Sequence, residues 1–402
     1  MTAIPAFPEQ ARPRSRQAEP GRPGRPGRPA LSDRLPHPWI FPLLVFAATW
    51  LLILGAWYGS DAIYGHSHPW TWHFLFKDAK YYLAIAEKGY KPTSPFPWGR
   101  GSEVDRRTAF FPLFPLLIRL ASYLTGGNFL IAGLAVSVLT GAASAVGVWV
   151  LAARLCDRRA ADRAVALYCF FPGAMTFGML YSEPLAVALG VAALLALLDR
   201  RWLLAGIIGA ACTAERPIMI VLVGVAGFAA LQAIWVRREW RALIAPVLTP
   251  LGMLAFFGYL GRRYHNYAFW FRAERDGWKQ HIDWGAHSLR IVLWADPGTS
   301  RHVIYNVLLI AMFIVAVAGL AMMTAARLPI LVSLFAIVTA VTCVMSTGLS
   351  TKPRFIWGAF PIFIGTAAKL PRFLYWPVLV FSAASLAFLI GWWPNHYFGP
   401  AP

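Results

Sequence analysis

The sequence predicts an all-α polytopic membrane protein of about eleven transmembrane helices, with interfacial helices in its first extracytoplasmic loop. Three observations predict it. Hydrophobic residues make up 58% of the 402 positions and charged residues only 14%, too few to cover a soluble domain of this length. Apolar runs of span length recur from Trp39 to the C-terminus. The formal charge of +19 sits in the N-terminal tail and in short connectors between those runs. There it encodes topology, with no nucleic-acid partner implied.

Taken in order, residues 1–37 contain GRPGRPGRPA flanked by further arginines. Their apolar content is too low for a core and their Pro and Gly content too high for a helix, so they read as a disordered basic cytoplasmic tail. The first apolar run, Trp39 to Tyr58, is too long for a signal-peptide core and has no small-residue cleavage site behind it. It reads as an anchor with the N-terminus in the cytoplasm, opening a single transmembrane domain over 38–395.

One segment decides the topology. If AFFPLFPLLIRLASYL, Ala109 to Leu124, spans, then CDRRAADR, Arg200/Arg201, Arg237/Arg238/Arg241, Arg327 and Lys369/Arg372 fall outside. If it lies in the outer interface, broken by Pro112 and Pro115 and with Arg119 reaching water, all five connectors fall inside. The second reading satisfies the charge rule. It gives spans near 39–58, 129–155, 164–180, 183–199, 202–214, 217–236, 242–260, 302–323, 328–346, 355–368 and 373–392. Outside remain the loop 59–128 with its interfacial helices, the turns YSEP and AERP, the aromatic loop 261–301, and TGLSTKPR.

Chemistry-bearing residues collect on that outer face. Asp78 precedes a helix whose Ala79, Tyr82, Leu83 and Ala86 form an apolar stripe, ended by Gly89. As an N-cap it satisfies helix amides; at a membrane surface it is equally placed to take a proton from a hydroxyl. Glu183, and Glu215 with Arg216, stand at the ends of apolar helices, either as a structural ion pair or as functional groups facing a polar cavity. Lys352 and Arg354 bring two cations to the end of a late span, suited to a phosphate or to snorkelling among headgroups. Trp270, Trp278 and Trp284 fit either a sugar platform or the interfacial aromatic belt.

Other signals are weaker. His66, His68 and His73 have no accompanying ligands at a recognised spacing, so no metal site is read there. Cys156, Cys169, Cys212 and Cys343 read as core thiols. No phosphate-cradling glycine loop or cytoplasmic nucleotide-binding domain is visible, so an activated donor arrives through the membrane.

In order along the chain, KDAKYYLAIAEKGY, TAFFPLFPLLIRL, FFPGAMTFGMLYSEPLAVAL and the turn AERP resemble the PIG-V (GPI mannosyltransferase 2) family in a bacterial form. The likeness runs from about Asp78 to Pro217, and STKPRF with its following Phe360–Pro361 matches more loosely. It implies a GT-C type glycosyltransferase in the bacterial plasma membrane, with an extracytoplasmic site and a polyprenyl-phosphate sugar donor, usually mannose. The family's acid in the first outer loop, in a Trp-Asp pair, is its expected base; the matching pair here is Lys77 and Asp78. The family's Tyr-Ser-Glu turn appears as Tyr181, Ser182 and Glu183. Its Arg-bearing turn appears as Ala214, Glu215 and Arg216.

The implied reaction is an inverting displacement. Asp78 is the base, and Tyr181, Glu183, Glu215, Arg216, Lys352 and Arg354 serve the donor, the three cations facing the leaving phosphate. No cofactor is required and a divalent cation is optional. The partners are the donor, a lipid or glycan acceptor and membrane lipids; eukaryotic relatives can depend on an accessory membrane protein, and the sequence does not identify one here. A transporter or flippase of a lipid or small solute is the rival from another class, and a GT-C transferase of another sugar the rival within it. Relay residues of a transporter belong near the bilayer midplane.

Overall fold

The computed structural model describes residues 30–90, 106–286, 289–290, 293, 303–345, 347 and 352–396. Helices make up the fold: α1 (Ile40–Tyr64), α2 (Trp70–Phe74), α3 (Ala79–Lys88), α4 (Leu113–Ser122), α5 (Phe129–Leu155), α6 (Arg158–Phe170), α7 (Glu183–Leu198), α8 (Trp202–Glu215) and α9 (Val221–Arg237) come first. Then follow α10 (Ile244–Leu248), α11 (Leu251–Tyr264), α12 (Phe269–Arg272), α13 (Val303–Ala325), α14 (Ile330–Val344), α15 (Lys352–Trp357), α16 (Pro361–Lys369) and α17 (Arg372–His396). The chain is a polytopic membrane protein.

Among the described residues, five helices are long and apolar enough to cross a bilayer: Ile40–Tyr64, Phe129–Leu155, Pro217–Arg237, Trp240–Tyr264 and Arg372–Trp392. A sixth candidate is Pro172–Gly178 with Glu183–Leu198, a pair bent by 109°. Helices stand where the remaining spans are expected, but several are shorter. The span placed at 164–180 is α6 followed by a 3₁₀ turn, Pro172–Gly178, and the one placed at 355–368 is broken between α15 and α16 around Gly358–Phe360.

Packing relies on small residues that let helices approach closely. Gly252 of α11 faces the Ala210 carbonyl and Ala214 of α8, with no room for a Cβ. Gly178 likewise lets its 3₁₀ turn press onto Ile53 and Trp57 of α1. Trp357, fully buried, stacks on Tyr168 of α6 at 4.5 Å and donates its Nε1–H to the Tyr168 carbonyl at 2.9 Å. It also meets Phe177 edge-on, so the short helix carrying Arg354 is pinned to the turn that leads into Tyr181.

The basic connectors gather at one end of the bundle. Arg154 pairs with Asp199 and Arg200 with Glu239, while Arg163 donates to the Leu370 carbonyl and lies over Tyr375. Part of the segment expected as an unfolded tail is folded there. Ser32–Arg34 form a 3₁₀ turn; the Ser32 amide donates to Asp162 at 2.9 Å, and Arg158 pairs with Asp33. The rest of that tail, 1–29, lies outside the described residues. Cys169, Cys212 and Cys343 are buried and Cys156 half-buried, as core thiols should be.

At the opposite end, α3 and α4 pack on each other and on α5, burying Ala79, Tyr82 and Ala86 of the expected stripe, with Ile85. Leu83 is half-buried, and Gly89 ends α3 with φ 68°. The reading of α4 needs two corrections. Pro112 and Pro115 fall at its N-cap and first turn, where proline fits a helix, so they begin it and do not break it. Arg119 does not reach for water: its Nε donates to the Ala86 carbonyl at 2.6 Å and its Nη2 to Glu87 at 3.0 Å. A cation thereby satisfies carbonyls at the C-terminal end of α3.

Candidate functional site

Four elements converge at the end away from the basic connectors. Glu183 opens α7 and Glu215 closes α8; because these helices run antiparallel as neighbours, both acids come to the same end. Asp78 arrives from the start of α3 and Arg354 from α15.

Their charges form one connected group. Arg354 Nη1 lies 2.7 Å from Asp78 Oδ2, and its Nε lies 3.3 Å from Glu183 Oε1. Arg216 Nη1 reaches the same Glu183 oxygen at 2.7 Å. The contacts at Glu183 are ion pairs whose angles fall short of aligned hydrogen bonds. Two aromatic rings complete the setting: the Arg354 guanidinium lies 5.1 Å from Tyr181 and 4.9 Å from Phe355, and Arg216 lies 5.3 Å from Phe355.

Asp78 occupies the N-cap position of α3, yet its side chain makes no capping hydrogen bond. Its carboxylate is turned to Arg354, so capping does not account for it. Its amide donates to the Tyr181 hydroxyl at 3.4 Å, and Tyr82 of α3 shares a 2.7 Å hydrogen bond with Ser182. The YSE turn thus holds the start of α3 by two side chains.

Burial raises the stakes of this arrangement. Glu183 is 4% exposed, Glu215 1% and Arg354 9%. Both carboxyl oxygens of Glu215 and Oε2 of Glu183 lack an aligned hydrogen bond among the described residues, with the Ser182 hydroxyl standing beside Glu215. Polar atoms left so in an apolar bundle mark a place built to receive further polar groups.

Two residues beside Asp78 were not singled out from sequence. Glu274 sits half-buried in a π-helical turn, Ala273–Gly277; burial, and then the Asp78 charge, push its pKa up to about 7. Burial pulls the Lys77 ammonium down, with Asp78 opposing and Arg354 reinforcing that shift. Glu274 was hidden among the many charges of its loop. Lys77 was noted only as a departure from a motif.

The tryptophans of that loop separate. Trp278 stands edge-on to Tyr81 and Phe110 and donates to the Arg106 carbonyl, and Trp270 donates to the Ala109 carbonyl. Trp284 is exposed. The Lys352 side chain lies outside the described residues, as do 91–105 of the first loop and 294–301 of the aromatic loop.

No protein-family profile matches the chain, and no curated protein sequence matches it. Solved structures do. A crystal structure of ArnT from Cupriavidus metallidurans bound to undecaprenyl phosphate superposes with a TM-score of 0.53 at 15% identity, covering 86% of this chain. The fold is of the GT-C type. The match takes in 63% of ArnT, so the chain spans less than two thirds of that protein. An oligosaccharyltransferase of Archaeoglobus fulgidus, tethered to an acceptor peptide, matches with a TM-score of 0.46 at 12% identity, over 88% of this chain and 55% of that one.

Proposed function

We propose that this GT-C protein is an inverting glycosyltransferase that moves a sugar, mannose on the PIG-V resemblance, from a polyprenyl-phosphate donor to a hydroxyl of a lipid-linked or glycan acceptor. The proposed site is extracytoplasmic, with the basic connectors in the cytoplasm. The carrying observation is the Asp78–Arg354–Glu183–Arg216 group at helix ends, with Arg354 and Glu183 buried and Asp78 and Arg216 half-buried. A carboxylate and two guanidiniums at one end of a spanning bundle suit a lipid-borne phosphate ester better than a proton relay, which belongs nearer the midplane.

In the proposed step the acceptor oxygen attacks the anomeric carbon, its proton passes to Asp78, and the bond from that carbon to the phosphate oxygen breaks. Polyprenyl phosphate leaves with the electron pair. Arg354 and Arg216, joined by Lys352, take up its charge, which makes a metal dispensable for leaving-group neutralisation. Before the donor binds, Arg354 and Arg216 together balance Asp78 and Glu183; the phosphate competes for the Arg354 guanidinium and frees the base. Glu215 accepts from a sugar hydroxyl. The likeness to an ArnT structure bound to undecaprenyl phosphate supports the donor class.

The test is donor consumption. Purified protein is given short-chain polyprenyl phosphates carrying mannose, glucose or arabinose, with a membrane lipid and glycan extract, and free polyprenyl phosphate is measured. Release from the mannosyl donor alone supports the reading. Release from another donor corrects the sugar, and no release from any rejects the reading and directs attention to lipid or solute flux in liposomes.

A further inference from the structure

The stretch between α1 and α3 contains a second cluster that the transfer chemistry does not use. At the end of α1 the chain turns sharply: Gly65 takes φ 66°, and its amide and that of His66 both return to the Asp61 carbonyl. That reversal folds the following histidines over the Asp61 side chain. His68 Nδ1 comes to 3.0 Å from Asp61 Oδ1, and His73 Nε2 to 3.1 Å from Oδ2. One donor atom each from Asp61, His66 and His68 lies within 4.8 Å of the others.

The rings are held from behind by aromatics. His68 stacks on Trp72 with centroids 3.9 Å apart, and His73 stacks on Trp57 at 5.0 Å. Asp61 is 9% exposed and His73 3%. His73 Nδ1 is buried with no hydrogen-bond partner among the described residues, which assigns its proton to Nε2, donated to Asp61. This is the outer-shell pattern of metal centres: an imidazole N–H orients a carboxylate, whose other oxygen, 3.0 Å from His68 Nδ1, a cation would share with that ring in place of the proton between them. His66 is exposed, stacks on Tyr64 and stands edge-on to His68 with centroids 4.9 Å apart, and its ring makes no hydrogen bond among the described residues.

The geometry points to a zinc-class divalent cation site formed by Asp61, His66 and His68, with His73 orienting Asp61. Two imidazoles with a single carboxylate suit zinc or cobalt, and fall short of the all-oxygen shells that calcium and magnesium take. Tetrahedral zinc with bonds of about 2.05 Å needs ligand atoms roughly 3.3 Å apart, so small side-chain rotations from the present spacing complete three ligands and leave a fourth position for water.

Such a site braces the segment that delivers Asp78. The Phe74 carbonyl at the end of α2 accepts the Leu180 amide at 3.2 Å, and the Asp78 amide donates to Tyr181. With Asp61 fixed on α1, the chain from 61 to 78 is then tied down at both ends. The inference concerns metal binding and stands independently of the transferase reading.

The test uses the full chain purified through a tag without histidines, stripped with a chelator, then titrated with zinc and, separately, with cobalt. Expected are stoichiometric zinc retained through a desalting column and the visible absorption of tetrahedral cobalt. His66→Ala removes an exposed, unbonded ring and leaves the fold intact; it should weaken affinity at least about 100-fold, and Asp61→Asn should do the same. His265→Ala, an exposed histidine elsewhere, should bind like wild type. Wild type that retains no stoichiometric metal overturns the inference, and so does His66→Ala binding with unchanged affinity.

Discussion

Arg354 holds Asp78: its Nη1 stands 2.7 Å from Asp78 Oδ2, deep enough that neither side chain is more than 16% exposed. The residue expected to take the acceptor's proton as a base and a residue expected to serve the leaving phosphate are thus each other's partner when no donor is bound. A buried pair of this kind is expensive to break from one side, because the remaining charge keeps its desolvation cost without its counter-ion.

Removing Arg354 should therefore destabilise the protein more than removing Asp78. Arg354→Ala strands Asp78, while Glu183 keeps Arg216, and should cost about 3–5 kcal/mol in a denaturation measurement, whereas Asp78→Asn leaves Arg354 paired with Glu183 and should cost less. Combining Arg354→Ala with Asp78→Asn should restore part of the loss. Additive losses would mean the two residues do not interact.

Arg354→Lys keeps the charge and loses the two-pronged fork. On the proposed mechanism it should raise KM for the lipid-phosphate donor well beyond its effect on KM for the acceptor. Equal effects on both would remove Arg354 from phosphate binding.

Glu274 predicts a pH dependence with a definite sign. Its folded pKa, about 7, lies above the ordinary carboxyl value of about 4.3, so the folded state holds a proton that the unfolded state has released. That contribution to stability is complete below about pH 4 and is lost as pH rises through about 7. The Tm of Glu274→Gln should therefore gain on wild type as pH rises from about 5 to about 8, levelling off above 7. A Tm difference that does not change with pH would mean that the Glu274 carboxyl is not buried as described.

Helix approach at Gly252 gives a prediction away from the site. Gly252→Ala drives a Cβ into the Ala210 carbonyl and Ala214, so it should lower Tm, whereas Gly224→Ala meets nothing within 4 Å and should be neutral or mildly stabilising. Equal Tm values for the two variants would show that α8 and α11 are not in close contact.

The site was legible to the extent that it breaks the composition of the chain. Asp78, Glu183, Glu215, Arg216 and Arg354 are charges at the ends of apolar helices, and such positions stand out before any fold is known. What sequence does not show is who meets whom. Arg354 is 276 positions from Asp78, and nothing local distinguishes a phosphate ligand from the partner of a base. Arg119 was misplaced for a similar reason, since its target is a neighbouring helix end and not the water its spacing suggests. Asp61 was missed because it falls in the last turn of an apolar helix, and a glycine turn, not a ligand spacing, brings the histidines back to it. Helix positions followed hydropathy closely; helix lengths did not, because Gly358–Phe360 and the 3₁₀ turn before Glu183 interrupt the hydrogen-bond ladder without interrupting the apolar run.

The central claim is that Asp78 is the base of a sugar transfer from a lipid phosphate, and transfer of labelled mannose from a short-chain polyprenyl phosphate by wild type and Asp78→Asn, each shown to be folded, tests it most directly. The account predicts transfer by wild type and a loss of about 100- to 10,000-fold in the variant, the range a positioned general base contributes. Equal transfer by both would contradict it, leaving Asp78 as the structural partner of Arg354 alone.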